Sequence, residues 1–490
     1  MSRTRSRPFG SLLVAGTTSD AGKSVLTTGI CRWLHRQGVR VAPYKAQNMS
    51  NNSMVTADGA EIGRAQWIQA VAAGAEPEAA MNPVLLKPGS DLRSHVVLMG
   101  QPYGDLEASS FAGARSDLAG AAHAAYDDLA GRFDVVICEG AGSPTEINLR
   151  EHDFVNMGLA QHGQIPTIVV GDIDRGGVFA AMYGTLKLMP PKDQALVRGF
   201  VINKFRGDES LLAPGLEMLS DATERPVLGV VPWLPELWLD SEDALDVSGR
   251  RVTSPEGPVL RVAVVRLPRI SNFTDIDALA VEPNVDVQFV DSPDAVVEAD
   301  LVVLPGSRST VDDLAWLRAR DLAGPLMARH RGGQPVLGIC GGFQMIGEQI
   351  SDPDGVESSG AAVGLGMLPV RTRFSATKSL GRPRGRALGH EVIGYEIHHG
   401  RVDVHGGEPF LDGCRDGATW GTLWHGALEN DDFRRAFLAE VADSSHRPDW
   451  HPVPETSFSS RRETRLEALA DAVQQHLDTD ALLQIIGVNG

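Results

Sequence analysis

Across its first 230 residues the chain alternates short apolar runs with helix-length amphipathic stretches, a rhythm that few folds accommodate. A strand buried on both faces reads as an unbroken run of Val, Ile and Leu, and parallel neighbours need a helical crossover between them. The pattern therefore predicts a parallel sheet covered by helices. The candidate strands are Ser11–Gly16, Val39–Tyr44, Phe133–Glu139, Ile165–Gly171, Val197–Asn203 and Pro226–Val231. From Pro232 to Pro258 the rhythm fails in an acidic, Pro-containing stretch, which marks a boundary. A second alternating series starts at Val259 and continues through Asp286–Val290, Leu301–Leu304 and Pro335–Ile339. The expected fold class is thus α/β with two doubly wound domains, at 1–232 and 259–445, joined by a linker at 233–258 and followed by a helical tail at 446–490. A length of 490 residues is ample for two separate cores.

The formal charge of -18 gives no general attraction to nucleic acid or anionic membrane, which require clustered Lys and Arg. An anionic substrate would need a local basic pocket, for which Lys45, Lys87, Arg150 and Arg175 are candidates. Cys31, Cys138, Cys340 and Cys414 are scattered without metal-ligand spacing, which argues against a disulfide framework or a zinc site and suits a reducing cytoplasm. The arginine-bearing start leads only into SLLVAG before Thr17, too short for a signal-peptide core or a membrane span. Oligomeric state is not legible.

The segment SLLVAGTTSDAGKSVLTTGICRWL reads as strand, Gly-rich turn and helix, the setting of a phosphate-binding loop. Backbone N–H groups from Gly16 and Thr17 to Gly22 would surround phosphate oxygens, Lys23 would add a cation, and the Ser24 hydroxyl could ligate Mg²⁺. Five residues separate Gly16 from Gly22 where the usual motif has four. That stretched loop resembles the one in dethiobiotin synthetase and its relatives, which phosphorylate a carboxylate or carbamate. Glu139, at the end of the strand FDVVICEGAG, is placed to hold Mg²⁺ on the phosphates, with Asp58 of TADGAEIGRAQ a further metal candidate. Asn203 and Lys204 end the strand GFVINK and are candidates for base recognition.

A second chemical signal lies in QPVLGICGGFQMIGEQI, where Cys340 stands at a strand-to-helix turn beside Gly341 and Gly342. Such an elbow presents a nucleophile, and the following helix N-terminus favours thiolate. The strongest candidate base is His425 in TWGTLWHGALEN, with His398 and His399 of GYEIHHGR weaker ones. The pair resembles a class I glutamine amidotransferase domain, in which cysteine attacks the carboxamide of L-glutamine. The family's His-x-Glu would put a glutamate at position 427, where this chain has Ala427; Glu429 is the substitute in sequence. The N–H groups of Gly306, in LPGSRST, and Gly341 are candidate oxyanion donors.

Together KAQNMSNNSM, EGAGSPTEINL, GDIDRGGVFA, GFVINKFRGD, GICGGFQMIG and GTLWHGALENDDFRR resemble the successive motifs of the cobyric acid synthase family, amidotransferases of cobalamin biosynthesis. The resemblance spans nearly the whole chain. It implies ATP- and glutamine-dependent amidation of the b, d, e and g carboxylates of adenosylcobyrinic acid a,c-diamide. ATP and Mg²⁺ would be held by Gly22, Lys23 and Ser24, and the anionic corrinoid by Lys45, Gln47, Asn48, Arg150 and Arg175. One rival is cobyrinic acid a,c-diamide synthase, with the same two domains and other carboxylates. Another is a P-loop switch ATPase carrying a degenerate glutaminase fold as a binding module.

Overall fold

A computed structural model of the chain describes residues 10–88, 93–107, 111–234, 240, 257–357 and 360–487, so most of the expected linker lies outside the described residues. All six apolar runs of the first domain are strands: β1 (Gly10–Gly16), β2 (Val41–Tyr44), β3 (Val135–Glu139), β4 (Thr167–Asp172), β5 (Val197–Phe205) and β6 (Val227–Pro232). They form one parallel sheet in the order β6-β5-β4-β1-β3-β2. Alternate residues of β1 serve different cores, Leu13 and Ala15 on one face and Leu12 and Val14 on the other. Burial on both faces is why the run is apolar without a break.

The second domain repeats the scheme with β7 (Leu260–Val265), β8 (Val285–Val290), β9 (Leu301–Leu304) and β10 (Val336–Ile339), then β11 (Glu408–Phe410), β12 (Gly413–Asp416) and β13 (Thr419–Thr422). Their order is β8-β7-β9-β10-β13-β12-β11, parallel as far as β13 and antiparallel at the β12 and β11 edge. Val262 and Val264 enter one core, Ala263 and Val265 the other.

Less regular strands fill the space between the sheets. In the first domain Gln47–Met49, Val84–Pro88, Arg93–Leu98 and Gln101–Glu107 make a small sheet, and Ser53–Val55 pairs with Glu61–Gly63 in a hairpin. In the second, Val370–Gly381 pairs with Glu396–Val404. The domains meet here: Tyr395 and Ile397 lie in the core of the first domain, and Ser53 N–H donates to Asn272 Oδ1 at 2.9 Å. Lys378 of the second domain and Lys87 of the first both pair with the buried Glu61 carboxylate.

The helical tail returns to the first domain. Helix α4 (Phe458–His476) lies along α1 (Lys23–Arg36), and α5 (Thr479–Ile486) follows it; α2 (Arg64–Ala72) and α3 (Gly341–Ile346) are the other helices that concern the sites. Leu466, Ala470, Val473, Leu482 and Ile486 share a core cluster with Leu26, Ile30 and Leu34. Arg32 pairs with Glu463 and Glu467, and Arg36 Nη1 reaches Asp471 at 2.6 Å. Asp478 N–H donates to Leu228 O at 2.7 Å, tying the tail to β6. Among the described residues no helix is long and apolar enough to cross a membrane.

Because the tail is held by apolar burial, Leu466→Ala should destabilise the chain by about 2–5 kcal/mol. Glu463→Gln, removing a partner that is half exposed, should cost about 1 kcal/mol or less. Urea unfolding of both variants checks the contrast; equal losses would mean that the ion pairs, not the apolar face, hold the tail.

Candidate active site

Strand β1 ends at Gly16 and the chain turns through Gly22, at φ 93° and ψ 25°, into α1. A Cβ at Gly22 would stand 2.0 Å from Asn203 Nδ2, so both the left-handed backbone and the close approach demand glycine. Lys23 is buried, its ammonium folded onto the carbonyls of Thr18, Ser19 and Gly142 at 2.9, 3.0 and 3.1 Å. Ser24 Oγ donates to Glu139 Oε1 at 2.7 Å; Lys45 Nζ donates to the same oxygen at 2.9 Å, and Gln69 Nε2 to the other at 2.6 Å. Burial opposes charge on Glu139, but the Lys45 ammonium and the bonds from Lys45, Gln69 and Ser24 outweigh it and hold the carboxyl below the usual carboxylate range. Hydroxyl, carboxylate and ammonium thus converge at the carboxyl ends of the adjacent strands β1 and β3, where open sheets take ligands.

The structure reassigns several residues that sequence alone offered as free binders. Lys45 is not an open anchor for an anion; it is buried and neutralises Glu139. Arg150 grips the fully buried Asp193 with two bonds of 2.6 and 2.8 Å. Asn48 donates to Gln66 Oε1 at 2.9 Å inside the first domain. Asp58 sits in the turn of the Ser53–Gly63 hairpin, its carboxylate taken by the Thr56 hydroxyl, so it stands outside the Ser24–Glu139 group. Thr17 N–H is bonded to Val170 O at 2.9 Å and is not available to a phosphate. Asn203 and Lys204 brace the loop: Asn203 Nδ2 donates to Ala21 O at 2.9 Å, and Lys204 Nζ to Asp20 O at 2.7 Å and Asp172 at 3.0 Å. Arg175, largely exposed, reaches Asp20 at 2.7 Å on the rim of the same loop, and Gln47 is half-buried on its strand.

In the second domain, β10 delivers Cys340 at φ 51° and ψ −109°, an unusual conformation for a residue with a side chain. Its N–H donates to Thr422 O at 2.8 Å, at the end of the neighbouring strand β13. His425, just beyond β13, is fully buried. Its Nδ1 lies 2.6 Å from Asp275 Oδ2, and the next residue's N–H, at Gly426, donates to Asp275 Oδ1 at 2.8 Å. The Tyr395 ring stacks on the imidazole at 5.3 Å, and the two backbones exchange hydrogen bonds of 2.9 and 2.8 Å. His425 Nε2 is buried without a hydrogen-bond partner, and Cys340 is near enough to act on the ring's charge. Burial alone would favour neutral imidazole; Asp275, then Cys340, overcome it and push the group up to about 10.

The acid behind the histidine is therefore Asp275, which sequence reading missed, and not Glu429. Glu429 turns the other way, toward Arg64 at 2.9 Å and Arg462 at 3.1 Å. His398 and His399 are occupied elsewhere, with Gly400 O and Glu396 and with Ser375 O respectively. Both candidate oxyanion glycines are at the site. A Cβ at Gly306 would lie 3.1 Å from His425 Cε1, and one at Gly341 would lie 2.7 Å from the N–H nitrogen of Ser307.

Two family models match. Residues 12–247 fit the CobQ/CobB/MinD/ParA nucleotide binding domain, and residues 261–433 the CobB/CobQ-like glutamine amidotransferase domain. The cobyric acid synthase of Mycobacterium ulcerans (strain Agy99) is 61% identical over 480 residues, covering 97% of this chain and 96% of that one. That of Mycolicibacterium vanbaalenii is 60% identical over 479 residues, with the same coverage. Among solved structures, a glutamine amidotransferase aligns with 37% of this chain and 98% of its own at 17% identity, with a TM-score of 0.29.

The His425 geometry has a direct spectroscopic consequence. In a ¹⁵N-histidine NMR titration His425 should remain imidazolium through neutral pH and lose its proton near pH 10, and Asp275→Asn should move that transition down, because removing the carboxylate removes the group that favours the charged form. The folded-state value is raised, so the attached stability is fully present below the unfolded value of about 6.5 and is lost as pH rises through the folded one. A His425 that titrates near pH 6.5 in both proteins would refute the ion-pair assignment.

Proposed function

The chain belongs to the cobyric acid synthase family, and on that premise we propose that it amidates the b, d, e and g carboxylates of adenosylcobyrinic acid a,c-diamide, using ATP in its first domain and ammonia from L-glutamine in its second. The observation that carries this reading is the presence, in one continuous chain, of the Lys23–Ser24–Glu139 group and the Cys340–His425–Asp275 group. Neither has a complete reaction without the other: an activated carboxylate needs a nitrogen nucleophile, and released ammonia needs an acceptor.

In the second domain the Cys340 thiolate attacks the glutamine carboxamide carbon, with N–H groups of Gly306 and Gly341 as donors to the developing oxyanion. His425, held by Asp275 through Nδ1, gives its Nε2 proton to the departing ammonia and then takes one from the water that cleaves the glutamyl thioester. With Nδ1 held by Asp275, Nε2 is the ring nitrogen left for Cys340 and the reacting molecule.

In the first domain, phosphoryl transfer to a substrate carboxylate replaces a poor leaving oxygen by phosphate, and ammonia then attacks the acyl phosphate. Lys23, now satisfied by three carbonyls of its own and the neighbouring loop, would exchange them for phosphate oxygens. A hydroxyl and one carboxylate fit Mg²⁺, which takes most of its ligands from water and phosphate; bound there it would neutralise charge on the transferring group. Arg175, on the rim, is a candidate contact for substrate carboxylates, as is Gln47.

Product mass tests the whole reading: a,c-diamide, ATP and glutamine should yield a corrinoid with four added amides, whereas activity only on cobyrinic acid itself would assign the chain to the a,c-diamide reaction. Cys340→Ala should lose glutamine-dependent amidation by about a thousandfold or more, in line with the loss of a triad nucleophile. With ammonium salt it should keep near wild-type rates. Lys23→Ala should lose both. Ammonia-dependent turnover by Lys23→Ala would remove Lys23 from the phosphate site.

A further inference from the structure

Helix α2 bonds Glu139 of the first site directly and, at its start, the turn that follows His425 of the second. At its start, Arg64 is buried and donates to Asp240 Oδ1 through Nε at 3.1 Å and Nη2 at 2.5 Å, and through Nη2 to Glu429 Oε1 at 2.9 Å. Arg462 of α4 completes the set, with Asp240 Oδ2 at 2.8 Å and Glu429 Oε2 at 3.1 Å. Glu429 closes the short turn Ala427–Glu429, which begins two residues after His425. The charges of Asp275, Arg64, Glu429 and Asp240 all bear on Tyr395, whose ring lies against the His425 imidazole. Arg64, from the first domain, is thus joined to the segment that carries the base of the second.

Five residues along the same helix, Gln69 Nε2 donates to Glu139 Oε2 at 2.6 Å. Five residues of α-helix span about 7.5 Å as one stiff piece. A cation and phosphates arriving at Ser24 and Glu139 compete for the carboxylate that Gln69 holds, so an occupied site changes what fixes the middle of α2 while Arg64 fixes its start.

We propose that Arg64 is a positioning residue for His425, acting through Glu429 and Tyr395, and that α2 by this route couples glutamine hydrolysis to occupancy of the nucleotide site. The proposal rests on the reading of Cys340 and His425 as the glutaminase pair. It adds that the base is set from the other domain.

The test measures glutamine hydrolysis by the full chain with and without the Mg²⁺ complex of a non-hydrolysable ATP analogue, and ammonia-dependent amidation alongside. Wild type should be stimulated several-fold by the analogue. Arg64→Met should lose tenfold or more in kcat for hydrolysis, with KM for glutamine within twofold, no stimulation, and ammonia-dependent amidation within twofold of wild type. Arg64→Lys, which can still reach Glu429, should recover part of the loss. Because removing Arg64 leaves Asp240 with less compensation, Glu429→Gln is the second variant: nearly isosteric, it cuts the same link from the other side and should show the same kcat loss. Wild-type hydrolysis and stimulation in Arg64→Met or Glu429→Gln would overturn the proposal, as would ammonia-dependent amidation falling in step with hydrolysis in both variants, which would make the cluster only a fold element. Cys340→Ala separates the underlying reading: persistent glutamine hydrolysis there would dismiss the glutaminase pair itself.

Discussion

Taking a carboxylate out of water costs several kcal/mol unless cations and hydrogen bonds replace the lost solvent. The Asp240 carboxylate is buried, and its replacements come from two parts of the chain, Arg64 of the first domain and Arg462 of the returning tail, while the Asp240 N–H donates to Asp277 Oδ2 of the second domain at 2.8 Å. Burial disfavours its charge, but Arg462 and Arg64 outweigh that and hold the carboxyl far below the usual range. Removing any contributor leaves a buried charge short of partners, so the relative placement of domains and tail is specified by direction as well as by apolar area. Both reactive groups inherit that placement.

The two sites solve opposite electrostatic problems with similar means. At Glu139 a buried anion is kept charged by a lysine and two neutral donors; at His425 a buried cation is kept charged by an aspartate and a cysteine. In each, the outer partner also fixes geometry: Gln69 orients the carboxylate, and the Asp275 carboxylate grips both the ring and the following N–H. The side chains that meet substrate are few, and most of the polar groups around them serve to hold them still.

Local signals in the sequence were strong where chemistry and secondary structure coincide. The ten apolar runs of the two sheets were readable because burial on both faces leaves no polar positions, and the places of Lys23, Ser24, Glu139 and Cys340 at strand ends or in the turns and helices after them followed from those runs. Asp275 was not. It lies 150 residues before His425, in a turn between β7 and β8 that has no periodicity, and the glutamate expected two residues after the histidine drew attention to Glu429. The partners of two candidate anchors were hidden for a related reason: sequence shows that Lys45 and Arg150 are charged but not that Glu139 and Asp193 pair with them. The antiparallel strands between the domains were missed because they are short and half-buried, with neither an unbroken apolar run nor a clear alternation.

The tail's attachment bears on how the molecule is made. Translation delivers the first domain early, yet α4 and α5, which cover α1 and the lower edge of β1, emerge only after the whole second domain. Nascent domains ordinarily fold in the order in which they leave the ribosome. Here the first domain waits with one apolar flank open until the second has been synthesised, so a chain interrupted between the two halves displays an unfinished surface to chaperones and proteases.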